Sequence, residues 1–281
     1  MLKSRQRIAI MFASCFMLIG LLSSAQFVAA RSYIHLPVLM YHYVSVPPAD
    51  VDPRLRDLWV SPDHFRCQMR WLKEQGFHTI SSEELIAALK HDQPLPSNPI
   101  MLTFDDGLAD GYYSVLPTLR EFGFKGTFFV VTHWIDDGNA SSLSWQEIQA
   151  MSDADMAIES HSYDHDDLRR HSPNWLATEI NHSLNDIQSH TGIRPRAFAY
   201  PLGRYDSALI RALLHTGVEA GFTTNDGLGV WRAHLMQIPR IRIRSTTTLK
   251  EFAWLVSRTS QLSTPTPASS TPSPTGSCQG E

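Results

Sequence analysis

The sequence predicts an α/β domain built on a parallel sheet, and three observations carry that reading. Between about residue 35 and residue 255, short apolar runs alternate with amphipathic stretches, the pattern of repeated strand and helix units. The apolar runs are hydrophobic on both faces, as fully buried parallel strands are. Several of the stretches between them open on helix N-cap signatures.

Taken in order, the first segment is 1–30. Lys3, Arg5 and Arg7 precede an apolar run from Ile8 to about Leu22, and Val28-Ala29-Ala30 has the small residues of a cleavage site. That pattern predicts an export signal, with an uncleaved N-terminal anchor as the alternative, and either places the remainder outside the cytoplasm. Residues 31–259 then form the expected single domain, long enough for a well-buried core. Its strands are expected at Pro37–Tyr43, Ile100–Phe104, Gly126–Val131, Met156–His161, Arg196–Tyr200 and Glu219–Thr223. Ser61-Pro62-Asp63 supplies an N-cap followed by a first-turn proline. Ser81 with Glu84, and Ser144 with Glu147, have capping-box spacing. A longer helix from about Asn174 to His190 aligns Leu176, Ile180, Leu184 and Ile187 in one stripe for the core. Residues 260–281, rich in Ser, Thr and Pro, have too little to bury and are expected to be a disordered tail.

Removing residues 1–30 takes away three basic side chains and no acidic ones, moving the formal charge from −4 to −7. This balance argues against nucleic acid and against polyanionic surfaces as the main partner and fits a neutral substrate such as a glycan better. Of three cysteines, only Cys67 and Cys278 would remain, so no disulfide framework is expected and Cys67 reads as a buried, inert thiol.

The chemistry concentrates in Thr103-Phe104-Asp105-Asp106-Gly107 and His161-Ser162-Tyr163-Asp164-His165. Asp106, His161 and His165 would offer one oxygen and two nitrogens, a set that suits zinc or a similar divalent ion with positions open for water and substrate. Asp105 is then free to take a proton. Neighbouring carboxylates in an extended segment point apart and so take separate roles; both could aim at one metal only if the chain turned, which Gly107 permits. The four-residue step from His161 to His165 brings both rings to one side if the segment is helical or tightly turned. Both motifs sit at predicted strand ends, as does His42 after Val38-Leu39-Met40-Tyr41, so several ends could converge on one pocket. Taken alone, the Asp-Asp-Gly run would make an ordinary turn, the histidines would face solvent, and His42 could be a core histidine.

In conjunction these motifs resemble the polysaccharide deacetylase family, the carbohydrate esterases with a NodB homology domain, over roughly residues 35–255. Arg194-Pro195 and Phe198-Ala199-Tyr200-Pro201-Leu202-Gly203 are similar to the family's third motif. Pro37-Val38-Leu39-Met40-Tyr41-His42 and Ile238-Pro239-Arg240-Ile241-Arg242 resemble its exported poly-N-acetylglucosamine deacetylase branch. The resemblance implies an irregular (β/α) barrel with fewer strands than the eightfold form. It also implies Asp105 as general base, Asp106, His161 and His165 as metal ligands, and a backbone amide near Leu202 for the oxyanion. His42 would be the general acid, with His234 a weaker alternative. Tyr200 and Arg194 belong to the expected oxyanion and substrate region, Arg194 serving either a substrate contact or a loop brace. Where many members have an Arg-x-Pro-Tyr third motif, Ala199 and Leu202 replace the arginine and tyrosine here, so those side-chain roles are absent. The Leu-x-His motif that often supplies the acid is not evident.

The function expected is metal-dependent removal of N-acetyl groups from an N-acetylglucosamine-containing polysaccharide or oligosaccharide. Its partner would be that N-acetylated glycan, with peripheral membrane or cell-wall association open and oligomeric state unspecified. An amide hydrolase for a small substrate and a non-catalytic glycan-binding protein are the competing readings. Trp134, Trp145 and Trp231 are candidates for a sugar-binding face or for core packing.

Overall fold

A computed structural model describes residues 33–258, and the expected leader and tail lie outside them. The main sheet is parallel throughout. Its strands are β2 (Val38–Tyr41), β4 (Pro99–Phe104), β5 (Thr127–Val130), β6 (Ala157–Ser160), β7 (Ala197–Ala199), β8 (Ala220–Phe222) and β10 (Ile241–Arg242), in the order β10-β2-β4-β5-β6-β7-β8. A short β3 (His78–Thr79) pairs with β4, and β1 (Tyr33–Ile34) with β9 (Val230–Trp231) makes a separate antiparallel pair.

The sheet curls into an incomplete barrel because one late segment reaches both edges. Ile238 bridges to Phe222 of β8, and three residues on, Ile241 pairs with Leu39 of β2. Arg240 lies between these contacts and is fully buried. The six expected strands are all present, each within two residues of its expected ends. This is the irregular α/β barrel expected.

Helices cover the sheet as their sequences require. Ser61 accepts from the His64 amide to start α1 (Pro62–Glu74). Complete capping boxes at Ser81 and Ser144 begin α2 (Ser82–His91) and α5 (Trp145–Asp153). Between these lie α3 (Leu116–Phe122) and α4 (Thr132–Asp136). In α6 (Pro173–Thr191) the stripe Leu176, Ile180, Leu184 and Ile187 is buried against the sheet side. Next come α7 (Ser207–His215) and α8 (Leu249–Ser257). Cys67, on α1, is disulfide-bonded and only half-buried, which corrects the expectation of an unpaired buried thiol. Among the described residues, no helix is long and apolar enough to cross a membrane.

Candidate active site and metal centre

Strand β4 delivers the two aspartates to the carboxyl edge of the sheet. The Asp105 amide still donates to Tyr41 O at 3.0 Å, and the chain then turns at Asp106 (φ 73°) and Gly107 (φ 67°). Asp106 thus adopts the left-handed conformation itself, a position more costly for it than for glycine. A Cβ on Gly107 would stand 3.1 Å from Val130 Cβ, so the turn is packed against β5.

The two carboxylates part company as a result. Asp105 turns into the barrel, where Arg240 Nη1 donates to Oδ1 and Nη2 to Oδ2, both at 2.7 Å. Arg240 is itself held by Thr223 O (2.8 Å) and Thr103 Oγ1 (3.1 Å). Burial pushes the Asp105 carboxyl up, but the Arg240 charge and its two hydrogen bonds prevail and hold it well below the usual carboxylate range. Asp105 is ionised at any physiological pH.

Asp106 faces the two imidazoles. The His161 Nδ1–H donates to Ala199 O at 2.8 Å, because a carbonyl can only accept, and this leaves Nε2 directed at Asp106 Oδ1, 3.4 Å away. His165 Nε2 is 3.5 Å from the same oxygen. It gets there by a tight turn rather than a helix, with Ser162 (φ 72°) and His165 (φ 63°) left-handed and the His165 amide on Ser162 Oγ at 2.9 Å. Glu179, reaching from α6, accepts the amides of Tyr163 (3.1 Å) and Asp164 (2.8 Å) and so fixes the loop. Burial, then the nearby His161 charge, push the His165 imidazole down to about 4, so it presents a neutral nitrogen.

The three ligand atoms lie within 4.8 Å of one another. A carboxylate oxygen with two imidazole nitrogens, one oriented by a backbone carbonyl, is the donor chemistry of a divalent metal site. The residues fit the ion expected from the sequence.

These groups line a cavity of about 560 Å³, together with His42, Tyr200, Leu202, Thr224, residues of the 54–58 segment, Arg242 of β10 and Arg244 just after it. His42 is therefore a cavity residue rather than a core one. Burial lowers its pKa, the carboxylates of Asp106 and Asp105 oppose that, and Arg242 and Arg240 reinforce it. Asp110 secures the segment just after it, accepting from the Val44 amide and Ser45 Oγ, each at 2.8 Å.

In the third motif, the amides of Gly203 and Arg204 donate to Tyr200 O and Pro201 O, while that of Tyr200 donates to Phe222 O. None of these bonds uses the Leu202 amide. Leu202 is left-handed (φ 57°) and 54% exposed at the cavity, which makes its N–H the available donor. The Tyr200 hydroxyl is committed elsewhere, to Met236 O at 2.8 Å.

Other sequence candidates stand apart. Arg194 precedes β7 and lines a separate cavity of about 470 Å³ that also includes Glu159. Its guanidinium donates to Asn185 Oδ1 (2.9 Å) and Gln188 Oε1 (3.0 Å) on α6, the loop-brace arrangement. His234 is exposed and is not part of the site cavity. Trp134 packs 5.3 Å from the His165 ring, whereas Trp145 stacks on His190 and Trp231 packs at a tilt against Tyr33. Sequence reasoning gave no role to Arg240, Glu179, Asp110 or Arg242. For Glu179 there was a signal, since it stands one turn after Leu176 on the apolar stripe of α6.

Comparison with known proteins agrees with this geometry. Residues 92–221 match the family model described as polysaccharide deacetylase. The Bacillus subtilis protein YxkH, named for the same family, is 28% identical over 208 residues, covering 74% of this chain and 71% of that protein. The Escherichia coli poly-β-1,6-N-acetyl-D-glucosamine N-deacetylase is 23% identical over 256 residues; the match takes in 76% of this chain but 37% of that one. Among solved structures, the Streptococcus pyogenes deacetylase PplD in complex with acetate superposes with a TM-score of 0.75 at 28% identity, over 80% of this chain and 99% of that one.

Proposed function

The chain belongs to the polysaccharide deacetylase family and is a hydrolase; on that premise we propose that it removes N-acetyl groups from an N-acetylglucosamine-containing polysaccharide or oligosaccharide. The reading is carried by one observation: an Asp-His-His donor set and the ionised, Arg240-clamped Asp105 open on the same cavity. The name of the E. coli relative, a poly-β-1,6-N-acetyl-D-glucosamine N-deacetylase, supports N-acetylglucosamine units within a glycan as the residues acted on.

An acetamide resists hydrolysis because its carbonyl is a weak electrophile and its nitrogen a poor leaving group. A divalent ion held by Asp106, His161 and His165, with zinc favoured by this donor set, would polarise the acetyl oxygen and lower the pKa of water. Asp105 accepts the water proton as the new C–O bond forms; each of its oxygens retains a lone pair beyond the one given to Arg240. The Leu202 N–H is the chain's own donor to the developing oxyanion. His42 then protonates the sugar nitrogen as the C–N bond breaks, giving acetate and a free amine. Its lowered pKa makes the imidazolium a strong donor.

The leader-like segment 1–30 supports an exported protein acting in the periplasm, at the cell wall or in the medium. The test is acetate release from N-acetylglucosamine oligomers by zinc-loaded and chelator-treated protein. Acetate that disappears with the metal and returns with it is expected. Acetate release unaffected by chelation would overturn the metal-dependent reading, and none from folded, zinc-loaded protein would overturn the substrate.

A further inference from the structure

Among the described residues, one charged side chain of the cavity has no partner that answers its charge. Asp105 is matched by Arg240, Arg244 by Asp57, and Arg54 by Asp52, while Asp106 faces the two imidazoles. Arg242 also lines the cavity and is half-buried, yet its guanidinium makes no hydrogen bond or ion pair among the described residues. Asp105 and Asp57 reach it only through space, and Arg240 and Arg244 repel it.

Its position is fixed by the sheet. Arg242 is in register with Met40, so by alternation it faces the same side as His42, the residue just past the end of β2. By the same alternation it shares that face with Arg240, one repeat deeper, so the two arginines stand about 7 Å apart along the strand. The deeper one clamps the Asp105 carboxylate. The outer one has equivalent chemistry, an open cavity before it, and no carboxylate.

A partly desolvated guanidinium gains most from a planar anion that takes two parallel N–H bonds. We infer that Arg242 receives a carboxylate carried by the sugar next to the N-acetylated residue, so that the preferred substrate is an acidic N-acetylated glycan rather than a neutral homopolymer. This rests on the deacetylase reading and specifies its substrate class. The overall acidity of the chain does not oppose it, because the unanswered charge at this cavity is positive.

The test uses the full zinc-loaded chain and two sets of oligosaccharides of equal length: N-acetylglucosamine alternating with a uronic acid, and N-acetylglucosamine alone. Both kcat/KM for acetate release and equilibrium binding are measured at low salt. Wild type is expected to prefer the acidic set by about tenfold or more, the scale of a charge-assisted hydrogen-bond pair. Arg242→Gln should abolish most of that preference through KM on the acidic set, with Arg242→Lys keeping part of it. Equal handling of both sets by wild type would overturn the inference, as would a preference that survives in Arg242→Gln. A variant that changes only inhibition by added acetate would assign Arg242 to the product instead, and would overturn it too. Selective, Arg242-dependent binding of the acidic set without turnover of either would sustain this inference while defeating the deacetylase reading.

Discussion

Asp105 and Arg240, separated by 135 residues, meet as a buried two-pronged ion pair with both hydrogen bonds at 2.7 Å. The pair links the first motif to the segment that reaches both sheet edges, so curling of the sheet and orientation of the proposed base are one structural event. Replacing Arg240 by Met would leave an uncompensated buried carboxylate, at a cost of about 3 to 5 kcal/mol. Denaturant unfolding should show that loss. The Asp105→Asn, Arg240→Met double variant should recover part of it.

Glu179 shapes the candidate metal site without being one of its three donors. Its carboxylate holds the amides of Tyr163 and Asp164 between the two histidines. Glu179→Ala should weaken zinc binding about tenfold, as loss of an outer support typically does. Competition with a chelator of known affinity measures this; unchanged affinity would mean that the left-handed turn at Ser162 suffices.

Gly203 follows the Leu202 amide with φ 69°, and a Cβ there would overlap Thr224 Oγ1. Gly203→Ala should therefore displace the turn that presents the amide. We expect kcat to fall about 100-fold, the scale of one lost oxyanion donor, with much less change in KM. Steady-state kinetics on the oligosaccharide separates the two parameters.

Within β6, on the side of a separate cavity, Glu159 accepts from Ser82 Oγ (2.5 Å) and from the amides of Arg196 (2.9 Å) and Ala197 (2.8 Å). Burial outweighs these bonds and raises its pKa from 4.5 to about 7. Because the folded state holds the proton more tightly, the stability this group contributes is complete below about pH 4.5 and is lost as pH rises through about 7. The span corresponds to roughly 3 kcal/mol. Glu159→Gln keeps an oxygen to accept the two amides, while its side-chain amide nitrogen donates to Ser82 Oγ in place of the bond that Oε1 accepts from it; the variant should flatten that part of the profile of Tm against pH, measured with chelator throughout.

The framework was legible where local chemistry decides it. Apolar runs located six strands, and Ser61, Ser81 and Ser144 located three helix starts, because burial and capping depend on near neighbours. Strand β10 was not recognised, since Arg240 and Arg242 break its apolar pattern. Those arginines face the barrel interior and cavity, and only the fold supplies their surroundings. Arg194 shows the opposite case. Active sites of this architecture form after the strands, and Arg194 precedes β7 while Leu202 follows it, so sequence position already separated the two. The brace from α6 that occupies Arg194 depended on tertiary packing.

The central claim is that Asp105 supplies the proton transfer while Asp106, His161 and His165 hold the metal. Metal content and acetate release measured on the same Asp105→Asn preparation test it most directly, since asparagine keeps an oxygen for one prong of Arg240. The account predicts zinc bound as in wild type and acetate release slower by about a thousandfold. Turnover near the wild-type rate, or a protein that no longer binds zinc, would contradict it.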